Sequence, residues 1–184
     1  RLYRDAALAI AVGSIVPHPY AGWGGGCKMV QPGVCGVETT TATHLLAAPL
    51  WPQCLGRAVN PVRQEIEEVG LRSGLAFIVN AVLNRQHQAV GLTAGHPVAA
   101  FRAGVSVAEA LYRRVPPLLA DVVVADASPV DLDFWQAGKA ANIGCLMTNP
   151  GGTLILVAAC PEGVAPGHPA LLELAEREFG NLKD

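Results

Sequence analysis

The segment at residues 17–36 constrains the fold of this 184-residue chain more than any other feature of the sequence. It follows the apolar run AALAIAVGSIV at residues 6–16, which ends at Pro17. Short runs rich in branched apolar residues are typical of strands buried on both faces of a parallel sheet. The segment itself is rich in Gly and Pro, and a loop of this length inside a compact chain is usually functional. We therefore expect a buried strand that leads into a glycine-rich functional loop.

Start and stop signals for helices and strands recur along the rest of the sequence. They predict helices at 39–46, 61–69 and 98–114, a β-hairpin from apolar runs at 75–83 and 88–94, a buried strand at 120–125, a helix at 132–147, a strand at 153–159 after Gly151-Gly152, and a closing helix at 169–179. The strand, helix and strand at 120–159 have the lengths of a right-handed βαβ unit. Val115-Pro116-Pro117 is the strongest boundary signal. We predict an α/β fold with two domains, at residues 1–114 and 115–184.

Composition and charge exclude several classes of protein. Lys and Arg total 13 against 15 Asp and Glu, and no basic stripe is visible, so we expect no nucleic-acid partner. The five cysteines form no CxxC pair, which argues against a disulfide framework or a zinc ribbon and favours buried free thiols in a reducing cytoplasm. No apolar run approaches the ~18 residues of a membrane span and no signal peptide opens the chain, so we expect no membrane partner.

The glycine-rich loop carries the first candidate site residues, His18 and Lys28. Proteins of the α/β class bind ligands where a strand ends in such a loop, and glycines such as Gly25 and Gly26 let the backbone approach a ligand closely. The lysine is either a phosphate contact or a nucleophilic amine. A P-loop is excluded, because the chain has no Gly-Lys-Ser or Gly-Lys-Thr. A solvated lysine on an ordinary surface loop is the alternative that remains open.

Two further candidates lie outside that loop. His44 falls on the predicted helix at 39–46, but without an HxxxH pair or a carboxylate partner its spacing does not establish a metal site. Gln136 and Lys139 are three residues apart on the predicted helix at 132–147, so they share a face that suits a carboxylate or another anion. A solvated helix face is the alternative. Three aspartates precede this pair and are expected to form turns and the helix cap: Asp126, Asp131 and Asp133.

Two long stretches of the sequence resemble one known family. Residues 11–44, AVGSIVPHPYAGWGGGCKMVQPGVCGVETTTATH, resemble the signature of the nickel-pincer-nucleotide-dependent lactate racemases and their 2-hydroxy-acid racemase relatives. That signature is roughly G-x-I-x-P-H-x-x-A-G-[FYW]-x-G-G-x-K, followed by P-G and a His. Residues 120–163, ADVVVADASPVDLDFWQAGKAANIGCLMTNPGGTLILVAACPEG, resemble a stretch of the same family's second domain. The resemblance extends over nearly the whole chain.

The resemblance implies a cofactor and the residues that hold it. Lys28 matches the lysine to which the nickel-pincer nucleotide is attached through a thioamide, and Gly25 and Gly26 lie in the matching cofactor-binding loop. His44 matches the protein ligand of the nickel, whose other ligands come from the cofactor. Imidazole is a ligand that suits nickel. A recombinant chain made without the cofactor pathway is expected to lack the nucleotide.

The resemblance also implies an isomerase, a racemase or epimerase of a small, lactate-like 2-hydroxy acid. His18 matches one of two histidines that alternate as general base and acid while hydride moves reversibly between the substrate Cα and the nucleotide, through a 2-keto acid. Gln136 and Lys139 match residues that face the substrate, with Lys139 on its carboxylate or developing negative oxygen. The implied site lies in the cleft between two α/β domains. The implied partners are the substrate and the cofactor-maturation proteins, with a homodimer as one option.

Some features of the family pattern are not found in this sequence. An upstream Asp-x-Thr-Arg-Pro-like motif and the second catalytic His are missing, and Trp135 stands where Tyr is expected. We therefore expect a fragment, inactive on its own, in which residues 1–114 are part of the cofactor-attachment domain and residues 115–184 form a smaller C-terminal domain. The alternative is a truncated or diverged, non-catalytic relative that acts as a small-anion binding or accessory protein.

Overall fold

Strands and helices are mixed along the chain, and the predicted α/β fold class is confirmed. The computed structural model describes residues 3, 5–114, 118–164 and 166–167. The helix predicted at 169–179 lies outside these residues. Within the described ranges, each helix is too short or too polar to span a membrane. The chain divides into two units, Arg1–Arg114 and Val115–Asp184, which are described separately below.

Among its described residues, the first unit has a three-stranded sheet, a two-stranded ladder and three α-helices. The strands are β1 (Ala9–Ser14), β2 (Pro17–His18), β3 (Gly22–Trp23), β4 (Leu75–Leu83) and β5 (Ala89–Gly95), and the helices are α1 (Val37–Ala47), α2 (Pro61–Arg72) and α3 (Pro97–Tyr112). Single 3-10 turns lie at Gly26–Met29 and Ala48–Leu50. Each helix and strand predicted for this unit is therefore present, with bounds that shift by a few residues.

The strand β4 is the centre of the three-stranded sheet. One edge pairs in parallel with β1, where Ile10 lies opposite Phe77, and the other edge pairs in antiparallel with β5. The predicted hairpin from β4 to β5 is thereby confirmed. Parallel pairing requires a crossover connection, and here the crossover contains the glycine-rich loop, α1 and α2. The loop starts at the carboxyl end of β1, which is where α/β proteins bind their ligands.

The helix α2 begins at the residue that the sequence predicts. Asn60 is its N-cap, and the Asn60 side chain accepts a hydrogen bond of 2.8 Å from the backbone N–H of Arg63. Pro61 occupies the first turn, where its missing N–H is not needed. Buried side chains of α2, such as Ile66, pack with Ile78 of β4 and with α3 in one core. The cap thus sets the direction in which α2 enters that core.

The prediction that β1 is buried on both of its faces is wrong. Ala11 is buried, whereas Ile10 and Val12 are 51% and 67% exposed. Their neighbours across the sheet continue this open apolar face to Leu92 of β5, which is 71% exposed. An apolar run predicts a strand, but it does not show which element packs on each side of it. Among the described residues, the helices pack on the opposite face of the sheet.

The second unit has the predicted strand, helix and strand. Its described elements are β6 (Ala120–Asp126), α4 (Phe134–Cys145) and β7 (Thr148–Val157), and β6 pairs with β7 in parallel. The helix packs closely on the strands at Gly144, where an added Cβ would lie 2.5 Å from Cδ1 of Leu154. A parallel pair joined through a helix is a βαβ unit, so this part of the prediction is confirmed.

Two details of the second unit differ from the prediction. The strand β7 starts at Thr148 and includes the two glycines that were expected to precede it, because an irregularity in the register between Ala120 and Val122 accommodates the extra residues. The strand β6 is also not buried on both faces, since Val122 and Val124 are exposed. As in β1, branched apolar residues favour a strand without determining what covers it.

The cysteines divide into buried and accessible thiols. All five are free, and Cys27 and Cys54 are buried as predicted. The prediction is wrong for Cys145, which ends α4 and is exposed. Burial raises the pKa of Cys27 to about 11, with the nearby Glu67 adding to the shift, so this thiol is protonated at neutral pH.

Truncation of a core residue and of its exposed counterpart should affect stability differently. We expect Ile78→Ala to lower the free energy of unfolding by about 2–5 kcal/mol, because the removed atoms leave a cavity in a fully buried site. Leu92→Ala, on the neighbouring strand and the open face, should change it by less than about 0.5 kcal/mol. Urea denaturation of the chain measures both values, and equal losses would contradict the burial pattern.

Candidate functional site

The glycine-rich loop folds back on the strand that precedes it. Its first residues form the ladder between β2 and β3, in which His18 pairs with Gly22. The backbone N–H of Gly24 donates to the carbonyl of Val16 at 2.7 Å, and the N–H of Ile15 donates to the carbonyl of Ala81 in β4 at 2.9 Å. The bond from Ile15 joins the start of this segment to β4, and the bond from Gly24 folds the loop back onto Val16.

Backbone hydrogen bonds also fix the imidazole of His18. Its Nδ1 accepts from the N–H of Tyr20 at 3.2 Å and from the N–H of Ala21 at 3.1 Å. A ring nitrogen that accepts hydrogen bonds carries a lone pair, so the proton of the neutral ring lies on Nε2. The loop thus selects one of the two neutral tautomers of His18.

An aromatic cluster brings two of the predicted site residues together. The ring of Tyr20 lies 6.3 Å from the ring of His18 and 6.0 Å from the ring of His44, measured between centroids. Trp51 packs edge-on against the same tyrosine at 6.5 Å. His44 is exposed in the last turn of α1, and His18 is partly buried. The first unit therefore places both histidines around one tyrosine.

Lys28 lies on the 3-10 turn that ends the glycine segment. Its backbone N–H donates to the carbonyl of Gly25 at 3.2 Å, and the residue is partly buried. Gly26 adopts a φ of 59°, and an added Cβ would lie 2.9 Å from Cδ2 of Phe101. Gly25 adopts a φ of 79°, and its Cβ would lie 2.9 Å from the carbonyl oxygen of Ser14. Both conformations favour glycine. Both positions also need glycine because other parts of the same protein pack directly against them.

A buried arginine that the sequence analysis did not identify holds this segment. Arg63 is fully buried, and its guanidinium donates to three loop carbonyls: from Nε to Ala21 at 3.3 Å, from Nη1 to Gly25 at 3.3 Å, and from Nη2 to Trp23. The side-chain oxygen of Asn80, also fully buried, accepts from the N–H of Gly26 at 2.9 Å. Asn80 within the apolar stretch FIVNAV is a sequence signal for a buried polar contact, whereas Arg63 lies in the polar stretch PVRQEIEEV and has no such signal.

The charge of Arg63 is stabilised where it lies. Its guanidinium packs over the ring of Phe101, 4.2 Å from the ring centroid. Burial lowers the pKa of Arg63 to about 10, and the carboxylate of Glu67 opposes this shift. The side chain is therefore a cation at neutral pH. Glu67 itself pairs with Arg102 at 2.8 Å, so a small charged cluster lies beneath the loop.

A second buried polar side chain connects the loop to two helices. Gln31 is fully buried, and its Nε2 donates to the hydroxyl of Thr43 in α1 and, at 3.2 Å, to Oε1 of Glu65 in α2. Thr43 immediately precedes His44. The sequence analysis did not single out Gln31, because nothing in its local pattern distinguishes it from a solvated loop residue.

In the second unit, Gln136 and Lys139 interact directly. Nζ of Lys139 donates to Oε1 of Gln136 at 2.5 Å, as expected for neighbours on one helix face. Asp133 caps α4 by accepting from the N–H of Gln136 at 2.7 Å, which confirms the predicted cap. Partial desolvation lowers the pKa of Lys139, and the Asp133 carboxylate opposes the shift. Asp126 accepts from the N–H of Ser128 at 2.9 Å in a turn, as predicted, whereas Asp131 accepts from the N–H of the distant Ala159 at 2.9 Å.

The described residues do not form a complete metal site. No group of three or more His, Cys, Asp or Glu side chains within these ranges is placed to hold an ion. His44 offers one exposed imidazole. A metal bound at this histidine would need further ligands from beyond the described residues.

Comparison with known proteins confirms the resemblance that the sequence predicts. Residues 1–50 match the family model of the lactate racemase N-terminal domain. The chain is 30% identical over 168 residues to the lactate racemase of Thermoanaerobacterium thermosaccharolyticum, covering 89% of this chain and 39% of that protein. It is 30% identical over 163 residues to the lactate racemase of Lactiplantibacillus plantarum, covering 86% of this chain and 38% of that protein. The chain thus spans about two fifths of the length of the curated relatives it matches.

Solved structures show the same similarity in three dimensions. The lactate racemase apoprotein from T. thermosaccharolyticum matches with a TM-score of 0.80 and 29% identity, covering 90% of this chain and 40% of that one. A protein from Thermotoga maritima matches with a TM-score of 0.66 and 20% identity, covering 88% of this chain and 43% of that one. The second match supports the fold alone.

The hydrogen bonds at Nδ1 predict the tautomer of His18. In the 15N-labelled chain, at a pH where the ring is neutral, long-range 1H–15N correlation spectra should show an unprotonated Nδ1 and a protonated Nε2. The exposed His87, in the turn between β4 and β5, provides the spectrum of a solvated ring. A tautomer mixture like that of His87, or a proton on Nδ1, would contradict the described loop.

Proposed function

We propose that this chain is part of a racemase of a small 2-hydroxy acid. The observation that carries this proposal is the placement of His18, Lys28 and His44 in one unit, on a loop and helix whose sequence and fold are similar to those of lactate racemases. Similarity to two lactate racemases supports an isomerase at the level of the family. The substrate, the cofactor and the roles of the residues are part of the proposal.

The residues of the first unit fit a nickel-pincer nucleotide in two respects. Lys28 offers a primary amine at the end of a loop whose backbone is held by buried side chains, which suits a covalent anchor. His44 offers a single exposed imidazole, and a cofactor that brings its own donors needs only one protein ligand of this kind. When bound, this group supplies a carbon that accepts hydride from the substrate Cα and returns it.

The tautomer of His18 determines which hydrogen bond the ring makes with a bound substrate before any proton is exchanged. In its neutral state the ring donates a hydrogen bond from Nε2, so it orients the hydroxyl or keto oxygen of a bound substrate. To take up the hydroxyl proton at Nε2, the ring must carry its other proton on Nδ1, and the N–H groups of Tyr20 and Ala21 must release that atom. We propose that His18 exchanges a proton with substrate only when these two hydrogen bonds open.

The second unit supplies the binding group for the substrate carboxylate. Lys139 carries the positive charge, and Gln136 holds its Nζ through a hydrogen bond of 2.5 Å. A cation of this kind attracts a carboxylate and also stabilises negative charge that develops on the neighbouring oxygen. We propose that Lys139 and Gln136 together bind the carboxylate of the substrate.

The proposed anchor can be tested by mass spectrometry. When the chain is produced in cells that also make the nickel-pincer nucleotide, peptide mapping should find a nucleotide-sized adduct on Lys28. Lys28→Arg should remove the adduct, because a guanidinium cannot form the thioamide. Lys139→Met is the matched control and should retain it. An unmodified Lys28 in such cells would instead favour the non-catalytic, anion-binding alternative.

The proposed nickel ligand has a test of its own. His44→Ala should lower the nickel retained per chain by at least about tenfold, since loss of even an outer partner of a metal ligand weakens binding by that amount. His87→Asn removes an exposed imidazole from a turn at positive φ that Asn tolerates, and it should leave the nickel content unchanged. Elemental analysis of both purified variants decides the matter, and equal nickel contents would rule His44 out.

A further inference from the structure

We infer that Arg63 is a positioning residue that orients both the His18 imidazole and the segment that carries Lys28. The inference rests on the proposed function for its purpose, but its structural content stands on contacts within the first unit alone. Arg63 lies on α2, outside the glycine-rich loop and outside the two long stretches that carry the family resemblance. It touches neither His18 nor Lys28 in the described hydrogen bonds and acts through the backbone between them.

The connection to His18 runs through Ala21. Nε of Arg63 donates to the carbonyl of Ala21 at 3.3 Å, and the N–H of the same residue donates to Nδ1 of His18 at 3.1 Å. A shift of Ala21 therefore moves a donor that selects the His18 tautomer. The guanidinium thus fixes a backbone position on which the protonation pattern of the imidazole depends.

The connection to Lys28 runs through Gly25. Nη1 of Arg63 donates to the carbonyl of Gly25 at 3.3 Å, and the same carbonyl accepts from the N–H of Lys28 at 3.2 Å. The next residue, Gly26, donates to the side chain of Asn80 at 2.9 Å. The turn that presents Lys28 is therefore held from α2 and from β4 at once.

Only an arginine fits this place. Its planar fork directs Nε, Nη1 and Nη2 to three carbonyls spaced along the loop, whereas a lysine offers a single ammonium. The flat group also packs on Phe101, against which Gly26 lies. The backbone N–H of Arg63 is bonded to the Asn60 cap, so the start of α2 determines where the fork stands.

Arg102 provides a matched control for the charge. It also lies over the ring of Phe101, at 5.6 Å, and it belongs to the same charged cluster through its ion pair with Glu67. None of the described hydrogen bonds joins Arg102 to the glycine-rich loop. Arg63→Met and Arg102→Met therefore remove the same charge from the same cluster and differ in the contacts to the loop.

The test compares these variants by NMR without any cofactor, under conditions in which each remains folded. Arg63→Met should convert His18 from the single Nε2–H tautomer to a mixture and lower the hydrogen-exchange protection of the Gly24 and Gly26 amides by at least about tenfold, the effect of losing one charged hydrogen bond. Arg63→Lys should restore part of both signals. Arg102→Met should leave the His18 tautomer unchanged.

The result that overturns the inference is a His18 tautomer and loop protection in Arg63→Met that equal those of Arg102→Met. A measurement on the unaltered chain covers the case in which Arg63→Met does not fold. The bonded guanidinium of Arg63 should then give separate, slowly exchanging Nη–H resonances, and free rotation of that group would equally overturn the inference. Failure of the nucleotide to attach to Lys28 would count against the proposed function while leaving these outcomes unaffected.

Discussion

The organisation of the first unit depends on one buried guanidinium. Arg63 is enclosed in the core, and it is stabilised by carbonyls of the glycine-rich loop and by the ring of Phe101. A buried charge that loses its hydrogen bonds costs several kcal/mol, on the order of 3–5 for a broken buried pair. If the loop moved away from Arg63, the protein would therefore lose stability by an amount of this order. The order of the loop is in this way linked to the stability of the core.

The glycines make that arrangement sterically possible. At Gly25 and Gly26, the space that a Cβ would occupy is already taken by Ser14, Asn80 and Phe101. Because these glycines have no side chains, the loop backbone itself packs against the core. Its N–H and carbonyl groups therefore come within reach of buried partners. A loop rich in glycine is usually associated with mobility, but here its glycines permit a densely bonded structure. A rigid backbone of this kind suits the covalent attachment that is proposed for Lys28.

The sequence predicts local features of this protein well and distant contacts poorly. The hairpin, the start of α2 and the Asp133 cap depend on residues close together in the chain, and all are confirmed. The bond from Arg63 to Ala21 joins residues 42 positions apart, and the bond from Asn80 to Gly26 joins residues 54 positions apart. No periodic pattern encodes such pairs. What covers a strand also depends on residues distant in the chain. An apolar run therefore predicts the strand but does not show which of its faces is covered.

The two units hold polar groups of different kinds, and the difference matches the demands of the proposed reaction. A substrate carboxylate must stay bound while the hydroxyl proton is exchanged, so one group must keep its charge and another must change its protonation. Lys139 is a cation whose Nζ is held by a neutral amide and lies near a carboxylate. His18 accepts two hydrogen bonds from neutral backbone N–H groups, at 3.1 and 3.2 Å, and such bonds are weaker than the charge-assisted bonds of Arg63 to the loop. Such bonds select a tautomer at rest and can be broken at small cost, which a proton-exchanging residue needs.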